Sequence, residues 1–142
     1  MSKVHYELFF HFTWHTKNDI NCIDVILEQF LYPCIGQKCK QEGYHLLAVN
    51  GTENHLHVLL SLRPNHLLSN VANMLKGSSS HDTNNHFQSN KTLYWQSGYG
   101  VLTVSHCMVP KIIEYINNQK IHHKKGDIVQ EYEQCEGSTE PC

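Results

Sequence analysis

The chain has 142 residues, 40% of them hydrophobic, which is material for one ordinary core and not for two. No apolar run approaches the roughly 20 residues that a membrane-spanning helix needs, and Met1-Ser2-Lys3-Val4-His5-Tyr6 lacks a basic segment followed by an apolar secretory core, so a soluble, cytoplasmic protein is expected. The formal charge of −2 argues against binding nucleic acid by bulk charge, but it is unevenly spread.

Residues 1–126 carry 11 basic and 8 acidic groups, whereas Asp127, Glu131, Glu133, Glu136 and Glu140 follow with no basic residue among them. The expectation is one domain over residues 1–126 and an acidic, flexible tail over 127–142. Six cysteines form no CxxC pair, so reduced thiols are expected rather than a disulfide framework.

In chain order, residues 4–15 are rich in aromatics, and Tyr6, Leu8, Phe10, Phe12 and Trp14 alternate as one face of a half-buried strand. A helix is predicted from Asp24 to Gln41, with Val25, Ile26, Phe30, Leu31 and Cys34 as its apolar stripe, Pro33 as a kink or split, and Gly43 marking its end. Tyr44 to Asn50 and His55 to Leu62 read as an antiparallel hairpin joined through Gly51-Thr52-Glu53-Asn54. A second helix follows Pro64 over Leu67 to Lys76, weakened by Gly77-Ser78-Ser79-Ser80 but able to run on toward His86. Tyr94 to Ser105 is a fourth strand with Gly98 and Gly100 inside it, and a third helix starts after Pro110 and runs to about His123.

The order β-α-β-β-α-β plus a helix is the ferredoxin-like arrangement, an α+β fold whose antiparallel sheet carries both crossover helices on one face. The two-residue period of the third strand sends His55 and His57 to one face and Leu56, Val58, Leu60 and Leu62 to the other. The apolar side belongs to the crossover helices, so the histidines are left on the uncovered face, where two imidazoles can share one metal ion. Taken alone, such a pair in a chain with 12 histidines is equally what a sheet surface yields by chance.

In the third helix, the i, i+4 spacing of Tyr115 and Gln119 puts a phenol and an amide on one face. A core tyrosine beside a surface glutamine has the same spacing. Lesser candidates are Lys76, Lys120 and other basic residues for phosphates, Trp14, Trp95 and Tyr99 for stacking on bases, although strand aromatics are usually core, His122 and His123 as extra contacts at a fraying helix end, and Glu53 as an orienter of an imidazole; His11-Phe12-Thr13 matches half of a phosphoesterase signature whose second half is missing, and is set aside.

The histidine pair, the element order and the late Tyr-x-x-x-Gln helix together resemble the HUH nucleases, most closely the single-tyrosine transposases that include those associated with repetitive extragenic palindromes. The resemblance covers about residues 4–123 and extends to Met74-Leu75-Lys76-Gly77-Ser78-Ser79 and Tyr94-Trp95-Gln96-Ser97-Gly98-Tyr99-Gly100. It implies that His55, His57 and Gln119 hold a divalent metal, Mg²⁺ or Mn²⁺, and that Tyr115 attacks single-stranded DNA at hairpin-bearing ends to leave a 5′-phosphotyrosine. It also implies a homodimer in which the tyrosine helix can act in trans, with residues 105–110 as the hinge. A domesticated nickase acting on chromosomal palindromes and a catalytically silent DNA-binding module are the alternatives.

Overall fold

A computed structural model describes residues 3–88, 90–126 and 128–135. Its centre is β1 (Phe9–His15), which pairs antiparallel with β3 (His55–Ser61) on one side and β4 (Gly100–Val104) on the other; β2 (His45–Gly51) pairs with β3 and completes a four-stranded antiparallel sheet in the order β2-β3-β1-β4. The first strand is shorter than its aromatic run suggests. Tyr6 and Leu8 precede it, although the Leu8 carbonyl still accepts from the Leu62 amide at 3.0 Å.

Alternation along the central strands separates two apolar clusters. Phe12, Trp14, Leu56, Val58 and Leu60 pack with α1 (Val25–Glu42) and α2 (Leu68–Phe87). Ala48, Leu59 and Val104 pack with Ile112 and Ile116 of α3 (Val109–Asn117) in a second, smaller cluster. Two helices thus serve the first cluster and the tyrosine helix serves the second.

The first helix begins where Asp24 caps the Leu27 amide at 2.8 Å and ends at Gly43, whose φ of 77° is left-handed and suits a residue without Cβ. Its buried stripe shares only Leu31 with the predicted one. Leu27, Leu31, Ile35 and Cys39 recur every four residues and face the core, whereas Val25 and Ile26 are 66% and 58% exposed. Each helical residue turns by about 100°, so the β-branched pair at the start lies well off the face set by the i, i+4 series. Pro33 is on the exposed side and neither splits nor ends the helix.

The serine run stays helical, with the Ser79 and Ser80 hydroxyls donating to the Lys76 carbonyl at 3.1 and 3.0 Å. The predicted strand from Tyr94 shrinks to Gly100–Val104. Residues 94–99 form a loop held by Lys76, whose Nζ donates to the carbonyls of Gln96 at 2.7 Å and Gly98 at 2.9 Å. The third helix is broken at Asn118, where φ −102° and ψ 20° separate α3 from α4 (Gln119–Lys125).

Part of the tail is placed against the sheet. Residues 128–135 fold back onto the sheet, with a short helix α5 (Gln130–Glu133) and a buried Cys135; Asp127 and residues 136–142 lie outside the described residues. Low apolar content concealed this because polar contacts anchor the segment: the Thr13 hydroxyl donates to the Tyr132 carbonyl at 3.0 Å, and the Val129 amide donates to the Tyr115 hydroxyl at 3.1 Å. Among the described residues, no helix is long and apolar enough to cross a membrane.

The corrected stripe on α1 predicts that Leu31→Ala costs about 2–5 kcal/mol in urea unfolding. Ile26→Ser, at a position the sequence alone would place in the core, is expected to stay within about 0.5 kcal/mol of the parent.

Candidate active site

His55 and His57 lie on the face of β3 opposite Leu56 and Val58, and both are buried. Their β1 neighbours in register are His15 and Thr13. The sheet therefore presents a polar patch built from two adjacent strands.

Each imidazole is held through Nδ1. That of His57 meets His11 Nε2 at 2.8 Å and Thr13 Oγ1 at 3.1 Å, and that of His55 meets Asn54 Oδ1 at 2.9 Å and Thr52 Oγ1 at 2.8 Å. Burial, reinforced by the neighbouring His57, drives the His11 pKa down to about 3, so its ring is neutral and can accept from His57. The hairpin loop thus orients His55 through Thr52 and Asn54, not through Glu53. With Nδ1 engaged on both rings, both Nε2 atoms are free to point inward.

Three further side chains meet them. His123 on α4 places Nε2 at 3.1 Å from His55 Nε2, and Gln119 Oε1 lies 3.0 Å from His123 Nε2 and 3.4 Å from His55 Nε2. Glu133 of α5 places Oε1 at 3.1, 2.9 and 3.2 Å from the Nε2 atoms of His55, His57 and His123. Its Oε2 accepts a hydrogen bond from the Tyr115 hydroxyl. Phenol, amide, carboxylate and three imidazoles therefore share one site within one chain.

The donor atoms of His55, His57, His123 and Glu133 all lie within 4.8 Å of one another. Two ligands in adjacent positions around one ion, each about 2.1 Å from it, are about 3 Å apart, which matches these spacings. Three imidazole nitrogens and a carboxylate oxygen converging on one point are a donor set that a cation would hold together. The residues present thus fit a divalent cation, and Gln119 adds an oxygen to the set.

Burial holds the pKa of His57 below the ordinary histidine value and does the same at His123, where the nearby His55 adds to it. For Glu133 burial pulls the other way, but hydrogen bonds from His55 and His57 outweigh it and keep the carboxyl well below its usual range. Burial, together with the hydrogen bond to Glu133, pushes the Tyr115 phenol up to about 12. These shifts favour neutral rings at His57 and His123, an anionic Glu133 and a protonated Tyr115 phenol near neutrality.

Several lesser expectations change. Trp14 is wholly buried, and Trp95 packs edge-on against it with its Nε1 donating to Ser79 Oγ at 2.9 Å, so the Trp14 ring is a core element and not a base-stacking surface. Lys76 is engaged by loop carbonyls, and Lys120 pairs with Glu28 at 2.7 Å. His11 and Thr13 are a second layer behind His57 rather than half of a phosphoesterase signature. His123 is the next i+4 step after Tyr115 and Gln119, a periodicity visible in the sequence; for Glu133, beyond the turn at Gly126, no such pattern exists.

The model of the family described as "Transposase IS200 like" matches residues 4–119. The chain belongs to this family. Among solved structures, the chain is similar to a protein from Deinococcus radiodurans R1 crystallised as a candidate transposase, with 28% identity and a TM-score of 0.68 over 84% of this chain and 98% of that one. A REP-associated tyrosine transposase bound to a REP hairpin shares the fold at 17% identity, with a TM-score of 0.62 over 90% of this chain and 76% of that one. No curated protein matches the chain.

Two measurements test the centre. Thr13→Val removes an oxygen from His57 Nδ1 and is expected to weaken Mn²⁺ binding about 10–100-fold by calorimetric titration. Because the His57 and His123 pKa values are lowered, their neutral, metal-binding forms persist as pH falls below the ordinary histidine range of about 6.5. From pH 6.5 to 5.5, Mn²⁺ affinity should accordingly fall by much less than the roughly 30-fold that two imidazoles titrating at about 6.5 would impose.

Proposed function

We propose that this IS200-like protein cleaves and rejoins single-stranded DNA at hairpin-bearing ends, with Tyr115 as nucleophile and a divalent metal held by His55, His57 and Gln119 on a ferredoxin-like frame. The observation that carries the reading is the convergence of the Tyr115 hydroxyl and the imidazole Nε2 atoms on the two oxygens of one carboxylate. Nucleophile and metal ligands are thereby within the reach of one phosphate group. The hairpin bound in the REP-associated relative supports this substrate class.

The phenol oxygen attacks phosphorus as it loses its proton, the bond to the 3′ oxygen breaks, and that oxygen takes up a proton to become a 3′-hydroxyl. The phosphotyrosine bond keeps the energy of the broken linkage, so an incoming 3′-hydroxyl can reverse the step and join a new strand. A bound metal supplies Lewis-acid stabilisation of the phosphoryl oxygens and of the departing oxygen. His55 and His57 fix its place on the rigid sheet, and α3 aims the phenol at the same point. Of the two expected metals, the third imidazole from His123 favours Mn²⁺ over Mg²⁺, which prefers oxygen ligands.

The homodimer implied by the resemblance enters as part of this reading. Within this chain Tyr115 and His57 meet the same Glu133 carboxylate, the arrangement that assembly in cis would use. If the helix carrying the tyrosine exchanges between subunits, a mixture of Tyr115→Phe and His57→Ala chains will recover activity that neither variant has; assembly in cis leaves the mixture inactive.

A labelled single-stranded hairpin incubated with protein and Mn²⁺ is expected to give a denaturation-resistant adduct, lost in Tyr115→Phe and in His57→Ala, and formed at lower concentrations of Mn²⁺ than of Mg²⁺. Hairpin binding with no adduct under any of these conditions would instead identify a silent DNA-binding module.

A further inference from the structure

The donors borne by α4 have no apolar seat. This helix has seven residues, begins at the kink of Asn118, and carries one apolar side chain, Ile121, which is 51% exposed. Gln119 and His123 therefore depend on polar contacts for their place beside His55.

Such contacts surround Asn50 near the end of β2. Asn50 lies opposite His57 in the β2–β3 register, so its side chain shares the open face with that imidazole. Its amide nitrogen donates to the Asn117 carbonyl at 3.1 Å, and its amide oxygen accepts from Lys120 Nζ at 3.0 Å. The reverse orientation would set an NH₂ group against an ammonium, so the contacts decide which way the amide points. One side chain thus ties the residue before the kink and the residue after Gln119 to the strand beside the centre.

The Lys120 ammonium is itself fully used. Besides Asn50 it meets the Gly51 carbonyl at 3.2 Å and Glu28 Oε1 at 2.7 Å, three oxygens for three N–H donors, and it lies 5.8 Å from the centroid of the Tyr32 ring. The Tyr32 hydroxyl donates to the same Glu28 oxygen at 3.0 Å. Glu28 and Tyr32 belong to α1, so the network reaches around the edge strand β2 and joins the main core helix to α4. Lys120 is 52% exposed, and an ion pair in such a place adds little to folding stability. Its effect is to fix geometry.

We propose that Asn50, Lys120 and Glu28 are positioning residues for the metal centre, placing the start of α4 so that Gln119 and His123 reach the ion that His55 and His57 hold. The inference rests on the reading of those side chains as metal ligands. The network locates the turn of helix, and the final adjustment of each donor is left to the ion.

Calorimetric titration with Mn²⁺ would compare the full chain with Lys120→Met, Glu28→Gln and Lys111→Met, the last removing the same charge from α3. Lys120→Met and Glu28→Gln should each weaken Mn²⁺ binding about tenfold with urea midpoints close to the parent, while Lys111→Met binds like the parent. Combining Lys120→Met with Glu28→Gln should cost little more than either alone, because both act through one network. In a His123→Ala background Lys120→Met should cost less than in the parent, since one of the two donors it places has gone.

Parent-like Mn²⁺ affinity in Lys120→Met and Glu28→Gln would overturn the proposal; weaker metal-free hairpin binding by Lys120→Met would then make the lysine a phosphate contact. Equal losses from Lys120→Met in the parent and in His123→Ala would also overturn it, as the mark of a general loosening of the fold. No Mn²⁺ binding by the parent would remove the metal reading and the positioning role together. The expected Mn²⁺ pattern with no DNA adduct from the parent would leave the positioning role standing and remove the cleavage reading.

Discussion

The two-residue period of β3 is the constraint on which the molecule turns. It forces successive side chains to opposite faces, so the strand that gives Leu56, Val58 and Leu60 to the main core must give His55, His57 and Leu59 to the other side. A one-residue slip against β1 would exchange the faces, placing imidazoles among leucines and leucines at the site. Since β1 pairs along its whole length with β3, the same register aligns Thr13 behind His57 and His15 beside His55. Core packing and ligand geometry are thus fixed by a single alignment, and neither can be adjusted without the other.

The polar side of the sheet is stabilised differently from the apolar side. The rings of His55 and His57 are held from behind: His11, Thr13, Thr52 and Asn54 meet their Nδ1 atoms, and the Nε2 atoms are left for the centre. Such an arrangement is costly if any member lacks a partner and rigid when all are satisfied. Glu133 meets those Nε2 atoms and accepts from a phenol whose own ionisation it opposes. The net negative charge of the chain also acquires a structural meaning, since at least one of the acidic groups that follow residue 126 lies inside the molecule and is not spread over its surface.

What could be seen in the sequence follows from which signals are local. Strands, helices and their order are encoded by short-range periodicity, and so were the His55/His57 pair and the Tyr115/Gln119 spacing. The burial stripe on α1 was misread because Val25 and Ile26 are apolar but lie off the face set by Leu27, Leu31, Ile35 and Cys39, and hydrophobicity alone does not choose between two apolar faces at a helix start. His123 continues a visible i+4 series, yet its clustering with other histidines near a helix end suggested fraying. Glu133 had no local signature at all. Its role arises from a chain reversal after Gly126, and a carboxylate in an acidic, glycine-poor stretch looks the same whether it meets water or a ring of imidazoles.

The break at Asn118 has a mechanical meaning. Tyr115 belongs to a helix seated through Ile112 and Ile116 on Ala48 and Leu59, while Gln119 and His123 belong to a separate turn of helix that begins after the kink. A continuous helix would make the three side chains one rigid comb, with any error in one repeated in the others. Divided at a residue already outside helical geometry, the comb becomes two pieces: the aim of the phenol is set by packing against the sheet, and the grip of the amide and third imidazole is set by the ligands they meet.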